Sequence, residues 1–212
     1  MQREQRSKQA SQPVGKPSAN PGGVVLKMPV VVLTIGHSTR PLEEFLHLLD
    51  AHGVKRLVDV RTVPRSRHNP QFNKESLPEA LKRVGISYTH MPSLGGLRHA
   101  RKDSINLGWR NAGFRGFADY MQTAEFAKAL SGLIEVAEKE RVAIMCAEAV
   151  PWRCHRSLVA DALLARGVRV EEISSVTRTQ PHKLTPFAHV FGGEVTYPGL
   201  PFAEPRNEEK SS

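Results

Sequence analysis

The chain holds two cysteines, Cys146 and Cys154, and both fall in one short stretch: Cys146-Ala-Glu-Ala-Val-Pro-Trp-Arg-Cys154-His155-Arg156. That spacing and those neighbours suit thiol or metal chemistry better than a structural disulfide. Cys154 is expected at the start of a helix, where free backbone N–H groups and the helix dipole favour a thiolate. Arg153, His155 and Arg156 add positive charge beside it. The alternative is a buried cysteine acting as a small hydrophobe. Cys146 ends an apolar run and can be the nucleophile, a resolving thiol or plain core. Glu148, two residues on, would share the face of Cys146 if the strand continued. It is then a candidate general base or metal ligand, or the salt-bridge partner of Arg153 or Arg156.

A second group of candidates lies earlier in the chain. His37 sits between Gly36 and Ser38 and is a candidate acid or base, or a hydrogen-bonded loop histidine. Asp59 and Arg61 alternate with Val58 and Val60, so they share one face of a strand. Two charges on a buried strand need partners, so either they pair or the strand is an edge. The forked donors of Arg61 would suit an anion. Two basic loops, with Arg65, Arg67 and His68 and then Arg98, His99, Arg101 and Lys102, have Phe72 and Trp109 nearby. They suggest a single-stranded nucleic-acid surface through charge and stacking, or solvated loops. Cys146, Cys154, His155 and His37 are the right types for zinc, but the gap between the cysteines is not the usual short knuckle.

The elements that must position these residues alternate. Val30–Ile35 is a continuous apolar run with β-branched residues, a buried-strand pattern. A helix opens at Pro41 and ends by Gly53. Strands are expected over 56–61, 86–91, 142–145 and 168–173, and helices over 74–84, 114–139 in two pieces, and 154–166. Residues 92–113 read as a long functional loop. Residues 187–197 are a weaker candidate for a strand or hairpin. The order predicts a single α/β domain over 29–202: a three-layer, Rossmann-like arrangement with a mostly parallel sheet flanked by helices. Such sheets bind ligands beyond the carboxyl ends of their strands. Here those ends carry His37-Ser38, Asp59 and Arg61, Met91, and Cys146 with Glu148.

Composition sets outer bounds. The chain has 212 residues, 40% hydrophobic and 24% charged, with a formal charge of +9. Residues 1–28 carry +4 of this and are expected to be a disordered basic tail; residues 203–212 carry −1 and read as a second tail. The body keeps +6, which favours an anionic small molecule or nucleic acid as partner. No apolar run is long enough to span a membrane, and the N-terminus lacks a secretory h-region, so a cytoplasmic location is expected. Neither a Walker P-loop nor a Gly-x-Gly-x-x-Gly fingerprint is present, and no cofactor is expected. Oligomeric state is left open.

Several motifs together resemble family 488 of the domains of unknown function: Gly36-His37-Ser38-Thr39; Asp59-Val60-Arg61 followed by Pro64 and Ser66; Phe72-Asn73; Leu94-Gly95-Gly96; Tyr120-Met121; and Cys146-Ala147-Glu148 with Cys154-His155-Arg156. The resemblance runs from about Val31 to Ser174. It implies a cytoplasmic bacterial or archaeal protein and transfers no catalytic residues. A looser likeness is to rhodanese-type sulfurtransferases, which have a strand ending in Asp-x-Arg and a later strand delivering a cysteine into an anion-cradling loop. The short cysteine-to-arginine cradle is absent here, with Arg153 and Arg156 as substitutes.

The leading expectation is a thiol-dependent enzyme acting on an anionic substrate. Cys146 or Cys154 would be nucleophile, His37 or His155 acid/base, and Glu148 an orienting or deprotonating group. Ser38, Asp59, Arg61, Ser66, Gly95, Gly96, Arg153 and Arg156 are the candidate substrate-binding residues. The alternatives are a nucleic-acid-binding module without catalysis and a metal-dependent hydrolase with Cys and His ligands.

Overall fold

The apolar, β-branched runs become strands, and the stretches with helical spacing pack over them. The computed structural model describes residues 29–199; the two expected tails, 1–28 and 203–212, lie outside the described residues, as do residues 200–202 of the expected domain. The order is β1 (Val31–Gly36), α1 (Leu42–Ala51), β2 (Arg56–Asp59), α2 (Leu77–Arg83), β3 (Ser87–His90), α3 (Ala112–Tyr120), α4 (Ala124–Ala137), β4 (Val142–Cys146), α5 (Arg156–Ala165), β5 (Arg169–Ser175), β6 (Arg178–Pro181), and a hairpin of β7 (His189–Phe191) and β8 (Glu194–Thr196).

The main sheet has six strands in the order β3-β2-β4-β1-β5-β6. Its first five are parallel and β6 is antiparallel. Alternation along the strands divides the core in two. Leu33, Ile35, Leu57 and Met145 pack against Phe45 and Leu49 of α1 and Leu77 and Leu81 of α2. Val32, Val58, Ile144 and Cys146 face the other layer, with Phe117 of α3, Leu130 of α4 and Leu158 of α5. The result is the expected three-layer α/β architecture.

This topology makes a crevice. The chain leaves β1 towards α1 on one face of the sheet, whereas it leaves the adjacent β4 towards α5 on the other. Diverging loops between neighbouring parallel strands open a gap at their carboxyl ends. The ladder between β1 and β4 runs on past the strands, with His37 N–H donating to Cys146 O and Ser38 N–H to Ala147 O, at 3.0 and 2.9 Å. That approach demands glycine at position 36, where a Cβ would overlap the carbonyl of Glu148.

The helix that delivers Cys154 is held from both sides. Residues 156–163 are all buried. Asp161, fully buried, accepts from His182, from the backbone N–H of Thr185 and from the Tyr197 hydroxyl. The segment beyond the sheet is thereby tied across α5. A second carboxylate organises the long loop: Asp119 accepts from the Arg101 N–H, Ser104 and Asn106.

Some boundaries differ from expectation. β2 stops at Asp59, because the chain turns there and the Arg61 side chain folds back onto Asp59. The last helix starts at Arg156, after a 3-10 turn at Pro151–Arg153. β6 was not anticipated: its Arg-Thr-Gln-Pro sequence is polar and sits on an edge, where no buried face imposes a period. Among the described residues no helix is long and apolar enough to cross a membrane.

Candidate functional site

Two cavities open side by side at the carboxyl ends of β1, β2 and β4, sharing Arg61, Val63, Ala147 and Glu148. The first has a volume of about 320 Å³. It holds both cysteines and His155, between walls that include Val63, Leu97 and Phe114. The second, of about 370 Å³, holds His37, Ser38, Arg65 and Ser66.

The first cavity holds the two sulfurs. The structure brings Cys146 and Cys154 into contact sulfur to sulfur, with Cα atoms 7.7 Å apart. Each sulfur has its own positive partner. Cys154 Sγ accepts from the backbone N–H of Arg156, in the first turn of α5, at 3.4 Å. Cys146 Sγ accepts from Arg156 Nη1 at 3.2 Å. Arg156 is fully buried and pairs with Glu172 of β5 at 3.0 Å. Burial lowers the pKa of this guanidinium and raises that of the Glu172 carboxyl. Both charges are therefore held against desolvation, and a thiolate on Cys146 would be a second counter-ion.

His155 stands next to Cys154, its Nδ1 3.7 Å from Sγ. Its Nε2 faces the Val60 carbonyl at 3.2 Å. A carbonyl only accepts, so the tautomer with its proton on Nε2 serves the Val60 carbonyl and leaves the Nδ1 lone pair facing the sulfur. Burial lowers the His155 pKa to about 4, so the ring is neutral near pH 7. The ring is clamped edge-on to Phe117, centroids 5.1 Å apart. Gly96 closes its other side, where a Cβ would come within 2.5 Å of the ring. Gly95 is fixed in the same way by Thr62.

The second cavity is built on another buried pair. Arg61 grips Asp59 through Nε at 2.9 Å and Nη2 at 2.6 Å. It also donates to the Phe72 carbonyl and to His37 Nε2. Four of its five N–H bonds are taken. Tyr88 donates its hydroxyl to Asp59 at 2.8 Å, and burial beside that carboxylate raises the Tyr88 pKa. His37 donates Nδ1–H to the Ser38 carbonyl at 2.8 Å and stacks on Phe72. Desolvation, with Arg61 beside it, lowers its pKa to about 4. Ser38 takes a left-handed conformation, φ 49°, a type of local strain that tends to gather at functional sites. Ser66 accepts from the Asn69 N–H.

The sequence-level candidates thus divide. Cys146, Cys154, His155, Glu148, Arg153 and Gly96 converge on the first cavity. His37, Ser38 and Ser66 belong to the second, so the His37 imidazole is not beside the sulfurs. Asp59 and Arg61 resolve as a mutual pair. Arg156 faces a sulfur from below and does not reach the cavity mouth. Glu148 lies beyond the end of β4, on an exposed loop, and does not continue the face of Cys146. Phe72 is completely buried, which withdraws it from base stacking. Arg101 is paired with Asp103, and Arg98 lies over the Tyr120 ring at 3.5 Å. Among the described residues no three His, Cys, Asp or Glu side chains are grouped to hold a metal ion, so the hydrolase alternative has no ligand set there. Sequence reasoning missed Glu172, Phe114 and Phe117. Only Glu172 carried a signal, as a charge within the run Val168–Ile173.

No curated protein and no solved structure matches the chain. A family model matches residues 41–163, a span that includes every motif from Asp59 to Arg156 and leaves Gly36–Thr39 outside. With more than half of its length matched, the protein belongs to the family described as Domain of unknown function DUF488.

Proposed function

We propose that this protein is a thiol-dependent enzyme acting on an anionic substrate, with Cys154 as nucleophile and His155 as the group that receives its proton. The observation that carries the reading is the position of Cys154 Sγ. It accepts an N–H from the first turn of α5 while the unprotonated Nδ1 of His155 stands 3.7 Å away. The helix start favours the thiolate. The pKa of about 4 for His155 describes a ring facing uncharged sulfurs. A thiolate at that distance raises it, because opposite charges stabilise each other. Deprotonating Cys154 and protonating Nδ1 are therefore coupled events. Val63, Leu97 and Phe114 give the cavity apolar walls. Exposed Arg153 on the cavity wall supplies the charge that would draw an anion. A cytoplasmic setting goes with this reading, since reducing conditions would keep both sulfurs as thiols.

The test is the pH dependence of alkylation. The reduced full-length protein is treated with iodoacetamide, and each cysteine peptide is quantified by mass spectrometry. Cys154 is expected to titrate at least about one unit below the free-cysteine value of ~8.5. Both cysteines titrating at that free value would refute the proposal.

A further inference from the structure

An enzyme that needs one nucleophilic thiol has no use for a second in contact with it. Here the second thiol is provided with its own electrostatics. Cys146 ends β4, while Cys154 is brought back to it by a loop that leaves the sheet, makes one 3-10 turn and enters α5. Their sulfurs meet on the cavity wall. Cys154 is served by a backbone N–H and by His155. Cys146 is served by the Arg156 guanidinium, which lies away from the cavity mouth and is fully buried. Two neighbouring sulfurs, each with a separate cationic or dipolar partner, are what a nucleophile and a resolving thiol require.

We propose that the site performs thiol–disulfide exchange on a small anionic disulfide, Cys154 attacking and Cys146 resolving. The proposal rests on the thiol reading above. In the first step the Cys154 thiolate attacks one sulfur of the substrate disulfide. A Cys154–substrate disulfide forms, the substrate S–S bond breaks, and the leaving thiolate takes the proton held on His155. In the second step the Cys146 thiolate, stabilised by Arg156, attacks Cys154 Sγ. The Cys146–Cys154 bond forms and the second substrate thiolate leaves. The substrate disulfide gains two electrons and the protein dithiol loses two. Two molecules of a low-molecular-weight thiol, as co-reductant, return the protein to the dithiol. The apolar walls accept the body of the substrate, and Arg153 pairs with its anionic group.

Oxidised glutathione, an anionic disulfide, serves as the probe. The reduced full-length protein is mixed with it and followed by intact mass and by released thiol. The expected result is two thiols released per chain, loss of two hydrogens from the protein, and no retained glutathione. Cys146→Ser is expected to stop at one released thiol with glutathione held on Cys154. Cys154→Ser is expected to slow the first release by about tenfold or more, because Cys146 lacks the neighbouring imidazole that protonates the leaving thiolate. Wild-type protein that keeps glutathione on Cys154 would overturn the exchange proposal, and so would a Cys154→Ser variant as fast as Cys146→Ser. If the alkylation profile still shows a depressed Cys154 midpoint, such a result removes exchange and leaves the thiol enzyme standing. If both cysteines alkylate like free cysteine, both readings fall.

Discussion

The buried Arg156–Glu172 pair makes an opposed prediction for Cys146. Arg156 Nη1 lies 3.2 Å from Cys146 Sγ, and Nη2 lies 3.0 Å from Glu172 Oε1. At 3.2 Å and an effective dielectric of about 20, the bare attraction between guanidinium and thiolate is about 5 kcal/mol. The Glu172 carboxylate offsets part of it. A hydrogen bond to a charged group retains about 1.5–3 kcal/mol net, which at 1.36 kcal/mol per unit corresponds to about 1–2 pKa units on the thiol. Removing Arg156 alone would strand a buried carboxylate at a cost of about 3–5 kcal/mol and confuse the result with unfolding. The useful variant is the double substitution Arg156→Met, Glu172→Gln, which removes the cation with its counter-ion. It should raise the Cys146 midpoint by about 1–2 units. Glu172→Gln alone leaves the full charge of Arg156 facing the sulfur and should lower that midpoint. Iodoacetamide alkylation of the reduced protein across pH, read on the Cys146 peptide, measures both, with a thermal melt to establish that each variant is folded. An unmoved midpoint in the double variant, or a shift of the same sign in both, would show that Arg156 does not set the charge of Cys146.

Two more expectations follow from the geometry. His37 and His155 are held neutral to about pH 4 in the folded protein but take up protons near the ordinary value of 6.5 when unfolded. Their stabilising contribution is complete above about pH 6.5 and is lost as pH falls towards 4, by up to ~3 kcal/mol for each ring. Urea unfolding of the oxidised protein at several pH values in that window should show the decline, and a flat profile would mean these rings are not held neutral. Gly96→Ala places a methyl group 2.5 Å from the His155 ring, which is already clamped by Phe117 and the Val60 carbonyl. The ring must tilt, at a cost of about 1–3 kcal/mol, and the Cys154 midpoint should rise towards that of free cysteine; an unchanged alkylation profile would separate His155 from the thiol.

How much of this was legible in the sequence depended on whether a residue's partners were local. The strand ends were readable because apolar, β-branched runs stop at polar residues, and that placed His37, Asp59 and Cys146 at one edge. Alternation and the cost of burying charge left the Asp59–Arg61 pair as one of two readings, the other being an edge strand. The start of α5 near Cys154 followed from the loop before it. The direction of Arg156 did not. A helix with an exposed side would turn an arginine to solvent, but α5 is covered on its outer side by a segment tied through Asp161, His182 and Tyr197. That tie links residues 21 and 36 positions apart, and no local pattern announces it. Glu172 could have been found by the rule that found Asp59, because it too is a charge on a buried strand. The separation of His37 from the sulfurs was hidden because adjacent strand ends can send their side chains to opposite faces of the sheet.

The two buried arginines show why one cavity is the better candidate for chemistry. Arg61 is neutralised by a bidentate carboxylate and has spent four of its five N–H bonds on Asp59, His37 and Phe72. It orders the carboxyl end of β2 and keeps His37 in one tautomer, but it has little field left for a reacting group. Arg156 is paired through a single oxygen of Glu172 and donates to the Glu148 carbonyl at 3.3 Å, while its Nε has no partner among the described residues. Burying so incompletely satisfied a pair is costly, and a fold selected for stability alone would gain by replacing it with hydrocarbon. The arrangement becomes favourable when the sulfur of Cys146 carries charge, because the guanidinium then has a second anion to balance. A pair that is costly to the resting fold would therefore stabilise a thiolate, which supports the proposal that the chemistry lies in the sulfur-lined cavity.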